Sequence, residues 1–307
     1  MTPARSGVLV AAKPRGATSF DVVAAVRRAL RVRPVGHAGT LDPEAVGVLP
    51  IMIGEATKLM PYLADQDKEY VVTVRFGVTT DTLDLAGRVL TTHEVAPLER
   101  VALERAAARF VGRIRQVPPM YSAVHHEGRR LYELAREGRE VAREGREVVV
   151  HSITVEEVHQ VTARLRVVCG KGTYVRVLAA DLGDALGVGG AVAQLERSRV
   201  GPFGIHDAVS WDELRTGAPE RLWALVRPPA SALAGWTRID LDDAAARAFV
   251  HGQSVRADLG VPGEFGLRRV HDRHGELIGI GEVGDEGRLR PVRILHVDRP
   301  GHRVLPA

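Results

Sequence analysis

The stretch GHAGTLDPEAVGVLP, Gly36 to Pro50, constrains the fold of this chain more than any other. Its glycines and prolines interrupt regular structure, and Pro43 biases Asp42 away from helical backbone toward an exposed turn. Leu41 and the apolar run from Val46 to Ile53 require a hydrophobic wall directly behind that turn. The stretch therefore reads as a loop that holds one carboxylate against buried structure. An Asp before Pro is most often a cap or an Asx turn. The functional alternative needs a partner that keeps the acid ionised in an apolar surround, and Arg176 in KGTYVR is the candidate.

Strand and helix patterns alternate on either side. GVLVAA at residues 7 to 12 reads as a buried strand, and TSFDVVAAVRRAL follows as a helix with Thr18 or Ser19 as N-cap. EATKLMPYLAD reads as a helix, KEYVVTVRFG as an alternating strand, and GRVLTTHEV as its neighbour beyond the turn TTDTLDLAG. A helix over 99 to 111, strands over 148 to 158 and 161 to 169, and a helix beginning near Tyr174 come next. The fold class is α+β, a mixed and largely antiparallel sheet with flanking helices. VRPPASALAGWTRIDL marks a joint, and 237 to 307 reads as a small β-rich appendage, which leaves 1 to 236 as the main domain.

Between Glu127 and Glu147 lie six Arg and six Glu, with AREGREV at 135 to 141 repeated at 142 to 148. The repeated Gly lowers helix propensity, so a protruding mobile arm and a solvated helical hairpin are both open readings.

Composition bounds function loosely. A 45% hydrophobic content supports a real core in 307 residues, and the net charge is only +4. Only Lys13, Lys58, Lys68 and Lys171 among the 42 basic residues are Lys; the rest are Arg, whose planar fork suits phosphate. Nucleic acid is thus permitted rather than required. The single Cys169 excludes an intrachain disulfide framework and a Cys-rich zinc site, and no run of about eighteen apolar residues is present, so a cytoplasmic protein with no membrane association is expected. GKGT at 170 to 173 fails the nucleotide-loop pattern because Leu165 stands where a Gly is needed. TDTLD (Asp81, Asp84) and HDRH (His271, His274) lack a third ligand at a telling spacing and read as turn chemistry.

Taken together, GHAGTLDPEAVGVLPIMIGEATKL, DKEYVVTVRFGVTTDTLDLAG, PPMYSAVHHEGRRLYELAREG and CGKGTYVRVLAADLG resemble the TruB family, the bacterial tRNA pseudouridine synthases that modify position 55 of the T loop. The resemblance runs from Gly7 to Arg199, and the C-terminal segment is similar, more loosely, to the PUA-like RNA-binding domain appended to that family. It implies the pseudouridine synthase fold and an isomerase of the tRNA T-arm. The reaction breaks a glycosidic bond at N1 and remakes it at C5 without net redox change, so neither cofactor nor metal is expected.

The resemblance also assigns residues. Asp42 takes the place of the essential catalytic acid, and Arg176 that of its paired arginine. Tyr70 matches the tyrosine that stacks on the target base, Tyr174 a pocket tyrosine, and Leu195 the apolar wall of the uracil pocket. His37 matches a histidine that fills the space left by flipped bases, and Lys13 with Pro14 a motif at the floor of the site. The segment 120 to 148 aligns with an RNA-clasping thumb. The family usually carries Thr where Val46 stands and a second basic residue where Glu196 stands, and the arm here has as many Glu as Arg. A monomer with no obligatory protein partner is expected. The rivals are an RNA chaperone of the same fold, a ribonucleoprotein-type synthase that needs guide RNA and partner proteins, and an Asp-dependent metal hydrolase built on TDTLD.

Overall fold

The computed structural model describes residues 5–256, 265–284 and 287–296. β1 (Gly7–Lys13) leads to α1 (Ser19–Leu30), then β2 (Val35–His37) and β3 (Val46–Ile53). Thr18 caps α1 reciprocally with Asp21, which satisfies donors at both residues and sets the helix start. A 3-10 turn over Gly54–Leu59 and α2 (Met60–Ala64) precede β4 (Lys68–Phe76), β5 (Val78–Thr80) and β6 (Val89–Thr92). α3 (Arg100–Ala108), β7 (Gly112–Gln116), β8 (His125–His126), β9 (Arg129–Arg130) and α4 (Leu131–Arg136) follow, then β10 (Arg146–His159), β11 (Thr162–Cys169), α5 (Val175–Ala185), β12 (Gly190–Val200) and β13 (Phe203–Gly204). α6 (Trp211–Thr216) and α7 (Pro219–Ala224) close this part. The remainder holds β14 (Arg238–Leu241), α8 (Asp243–Val250), β15 (Val255–Arg256), β16 (Gly266–Asp272), β17 (Leu277–Val283) and β18 (Arg288–Ile294).

The main sheet runs β1-β3-β12-β4-β11-β10-β7, with β2 on β3 and β13 on β12. All its pairings are antiparallel except β3 with β12, where Glu196 meets Val46 and Arg197 meets Gly47. One face packs on α3 and α5 around Val72, Val74, Leu165, Val167 and Leu178. At the β1 end, α1, α6 and α7 cover Leu9, Leu49 and Ile51. The second sheet, β14-β16-β17-β18-β15, wraps α8 around the buried ring of Phe249. A further core cluster joins Leu277, Ile280 and Leu295 of that part to Val8, Val10, Leu59 and Leu63.

Several local expectations change. The glycine-rich stretch is a loop only in its middle, because β2 and β3 take its two ends. The helix expected over 55–65 is split: Pro61 lacks an amide donor and is tolerated only in the first turn of a new helix, so a 3-10 turn ends where α2 begins. Val89–Thr92 is not a neighbour of β4. It pairs with β5 in a separate hairpin, and β12 and β11 flank β4 instead. The arm is not a helical hairpin: a tight turn at Glu127 and Gly128, both at positive φ, joins β8 to β9, and α4 follows. α8, capped by the Asp242 carboxylate on Ala245 N, was not anticipated. Of the expected β-rich segment, 257–264, 285–286 and 297–307 lie outside the described residues.

Candidate active site

The loop between β2 and β3 is fixed from below by two buried cations. Lys13, 1% exposed at the end of β1, donates from Nζ to the carbonyls of Pro14 (2.9 Å), Ala17 (2.7 Å) and Pro43 (3.0 Å). Burial draws its pKa down to about 8, with the charges of Asp42 and Glu44 opposing the fall. Arg197 on β12, also 1% exposed, donates to Val48 O at 2.9 Å, Gly39 O at 3.1 Å and Thr40 O at 3.4 Å. The Ser19 hydroxyl closes the loop onto α1 by accepting from Leu41 N at 2.9 Å and donating to Leu41 O at 3.2 Å. Backbone carbonyls that a loop would otherwise leave to water are thus used to anchor it.

On this platform Asp42 projects beside α5. Arg176, in the first turn of α5, donates from Nε to Asp42 Oδ2 at 2.8 Å, and its other nitrogens reach Thr82 O at 2.6 Å and Tyr121 O at 2.8 Å. The Arg176 side chain is 5% exposed and that of Asp42 38%. A buried fork with three oxygen acceptors therefore aims a carboxylate that stays open to solvent. The Arg176 pairing foreseen from the sequence is present.

A cleft of about 340 Å³ opens at Asp42, walled by Tyr70, Tyr174, Arg176, Leu195 and Arg197. A smaller recess of about 170 Å³ shares Asp42, Arg176 and Leu195 and continues past Leu85 and Gln194. Tyr70 and Leu195 come from the adjacent strands β4 and β12, two residues along from Lys68 and Arg197 respectively, so alternation puts each pair on one face. Burial raises the Tyr70 phenol, with Arg197 beside it pulling the other way. Tyr174 is held through its backbone by the Gln116 amide, at 3.0 and 3.3 Å. Its phenol is also raised by burial, against the neighbouring Ser122 hydroxyl.

The sequence-derived set is thus only partly convergent. Asp42, Tyr70, Tyr174, Arg176 and Leu195 line one cleft. Lys13 lies underneath, its ammonium already occupied by carbonyls. His37 ends β2 and is not itself among the lining residues; burial and Arg197 lower its pKa, and its Nδ1 is buried without a partner. Arg197, Lys68, Ser122 and Gln116 were missed. Period-two spacing from Leu195 and from Tyr70 would have found the first two. Lys68, with Nζ on Ala64 O and on Gln66 O at 2.6 Å, is pushed down to about 8 by burial.

TDTLD is a turn, with Asp81 accepting from Arg88 N and Asp84 from Ala86 N. GKGT joins β11 to α5, where Gly170 N donates to Val149 O at 2.8 Å. No group of His, Cys, Asp or Glu among the described residues is placed to hold a metal ion, and no helix among them is long and apolar enough to cross a membrane.

The mixed sheet with its flanking helices is the fold of the pseudouridine synthase class. The fold is shared with the solved H/ACA RNP bound to a substrate RNA containing 2'-deoxyuridine (TM-score 0.72, 23% identity, 95% of this chain and 85% of that one). A Cbf5-Nop10-Gar1 complex matches similarly (TM-score 0.71, 25% identity, 95% and 84%). Within the class the chain belongs to the TruB family. It matches the TruB family pseudouridylate synthase N-terminal domain over 27–175, the tRNA pseudouridylate synthase B C-terminal domain over 176–234, and the pseudouridine synthase II TruB C-terminal model over 237–295. The tRNA pseudouridine synthase B of Pseudomonas aeruginosa is 44% identical over 94% of this chain and 96% of its own, and that of Stutzerimonas stutzeri 44% identical over 94% and 95%.

Proposed function

We propose that this chain isomerises uridine 55 in the T loop of tRNA to pseudouridine, with Asp42 as the catalytic group. The observation that carries the reading is the Asp42–Arg176 pair at the mouth of the cleft between Tyr70 and Tyr174. The reaction removes uracil from C1′ at N1 and reattaches it at C5; the C5 proton leaves and N1 gains one, so electrons and atoms balance without a redox partner. The Asp42 carboxylate, its second oxygen held by Arg176, acts on C1′ or on C6 of the uracil. Tyr70 stacks on the flipped base, Leu195 walls it, and Tyr174 closes the far side. Lys13 and Arg197 keep the loop from shifting as charge redistributes, a matter of preorganisation.

In this reading residues 1–236 form the catalytic unit, 237–307 a PUA-like RNA-binding unit, and 120–148 the thumb on the T-arm. The protein works as a cytoplasmic monomer without guide RNA, protein partner, metal or cofactor. His37 enters the space that the extruded nucleotide leaves.

The test is tritium release from unmodified tRNA labelled at uridine C5, in EDTA, with Asp42→Asn alongside. Wild type alone releases tritium rapidly and the variant does not, while both bind tRNA. Silence from wild type, or equal release from Asp42→Asn, defeats the proposal.

A further inference from the structure

The arm that would clasp RNA spends half of its arginines on its own acids: Arg129, Arg139 and Arg143 are paired within it, while Arg130, Arg136 and Arg146 make no ion pair among the described residues. Arg129 pairs with Glu137 at 2.5 Å, Arg143 with Glu140 at 3.0 Å, and Arg113 at its base with Glu147 at 2.7 Å. A different surface offers guanidinium groups with no acid to answer them. No Asp or Glu occurs between Asp21 and Asp42, whereas Arg27, Arg28, Arg31 and Arg33 all fall there. Arg27 is used internally, donating to Val35 O at 2.6 Å. Arg28, Arg31 and Arg33 are exposed and have no ion pair or hydrogen bond from their side chains among the described residues.

Their placement relative to the cleft follows from contacts at both ends of α1. Ser19 at its start is bonded to Leu41, and Arg27 near its end is bonded to Val35, so α1 lies antiparallel beside the segment that runs through His37 to Asp42. Nine helical residues separate Ser19 from Arg28, about 14 Å at 1.5 Å per residue, a span of a few nucleotides. Arg31 caps the helix at φ 51, a left-handed position that Gly would fill at lower cost, by about 1–2 kcal/mol. A long cation is kept there at conformational expense. The C-terminal dipole of α1 accounts for basic residues in its last turn but not for Arg31 and Arg33 beyond it.

We propose that Arg28, Arg31 and Arg33 form a phosphate-binding ridge that holds the tRNA sugar-phosphate backbone flanking the flipped nucleotide and guides it past His37 into the Asp42 cleft. This deepens the reading of the site as a tRNA-modifying one and rests on it. Three guanidinium groups displace counterions from the backbone, so the ridge supplies salt-dependent affinity and no base specificity.

The test is the dissociation constant of unmodified tRNA against salt, for wild type, for Arg28→Gln/Arg31→Gln/Arg33→Gln, for the matching triple Lys variant, and for Arg105→Gln/Arg109→Gln on α3 and its C-cap. Each lost phosphate contact flattens the log–log slope by about 0.7–0.9. The triple Gln variant should flatten it by about 2 and weaken binding at least tenfold at physiological salt. The Lys variant should keep the slope, which separates charge from damage to α1, and the α3 variant should leave it alone. An unchanged slope in the triple Gln variant, or an equal change in the α3 variant, overturns the ridge. Tight, salt-dependent binding without tritium release by wild type would instead defeat the function proposed for the cleft and leave the ridge standing.

Discussion

Val46 and Glu196, the two positions where the resemblance of motifs leads one to expect a threonine and a basic residue, are Cα partners across the parallel pairing of β3 and β12. The two positions are therefore neighbours, about 4.8 Å apart in the sheet. Beside them Gly47 meets Arg197, whose guanidinium holds the loop that carries Asp42. At facing positions Val46 and Glu196 share one local environment. Val46→Thr and Glu196→Arg should couple in a double-mutant cycle by about 0.5–1 kcal/mol in urea unfolding. Strict additivity would show the two positions to be independent.

The same pairing makes Gly47 irreplaceable. A Cβ there would stand 2.3 Å from Arg197 O and 3.0 Å from Arg197 N, at φ +106. Both contacts are backbone and cannot swing aside. Gly47→Ala should destabilise the fold by about 3 kcal/mol or more in chemical denaturation, and a loss below about 1 kcal/mol would contradict this packing.

Arg176→Lys keeps the charge but cannot serve Asp42, Thr82 and Tyr121 together. Loss of a charge-assisted bond to the carboxylate, at about 1.5–3 kcal/mol, predicts a single-turnover rate lower by roughly 10- to 100-fold, with tRNA affinity nearly unchanged. A rate within twofold of wild type would remove Arg176 from the positioning of Asp42.

Tyr70 gives a pair of outcomes. Base stacking is worth about 1–3 kcal/mol, so Tyr70→Leu should weaken binding of a T-arm RNA by roughly 10- to 100-fold, whereas Tyr70→Phe keeps the aromatic face and the affinity. Any effect of Tyr70→Phe then falls on the rate and reports on the hydroxyl. Equal affinities for Tyr70→Leu and wild type would argue against stacking.

Lys13 gives stability a pH signature of fixed sign. Burial lowers its pKa from 10.5 to about 8, so between those values the unfolded chain binds the proton that the folded chain has lost. Stability contributed by this group therefore rises as pH climbs from about 8 to 10.5, and below about 8 the cost of burying the charge is felt in full. Lys13→Met should abolish that rise, on the order of 1–3 kcal/mol, in the difference between wild-type and variant urea curves. Subtraction is needed because Lys68 follows the same course and Cys169, raised to about 11, opposes it.

Elements whose periodicity was strong were legible from the residues alone: α1 with its Thr18 cap, the alternating strand at β4, and the hairpin β10–β11. The sheet order was not, because long-range pairing leaves no local trace; nothing near Val89 says that β12 will take the edge of β4 that seemed reserved for it. The site divides in the same way. Asp42 and its partner Arg176 could be raised from the turn and its charge alone, whereas Tyr70 and Tyr174 are reached only through a resemblance of motifs. Lys13 came with them but serves from beneath, since its surroundings depend on where residues 14, 17 and 43 converge. Arg197 carries no local mark of its role, although it lies on the same strand face as Leu195.

The core cluster that joins Leu277, Ile280 and Leu295 to Val8, Leu59 and Leu63 has a practical consequence for anyone who would cut the chain. A truncation at the joint would leave the side chains of Val8 on β1, Leu59 on the 3-10 turn and Leu63 on α2 facing water. The C-terminal sheet is therefore a piece of scaffolding as well as an appendage, and the chain should melt in one cooperative step rather than shed its tail first.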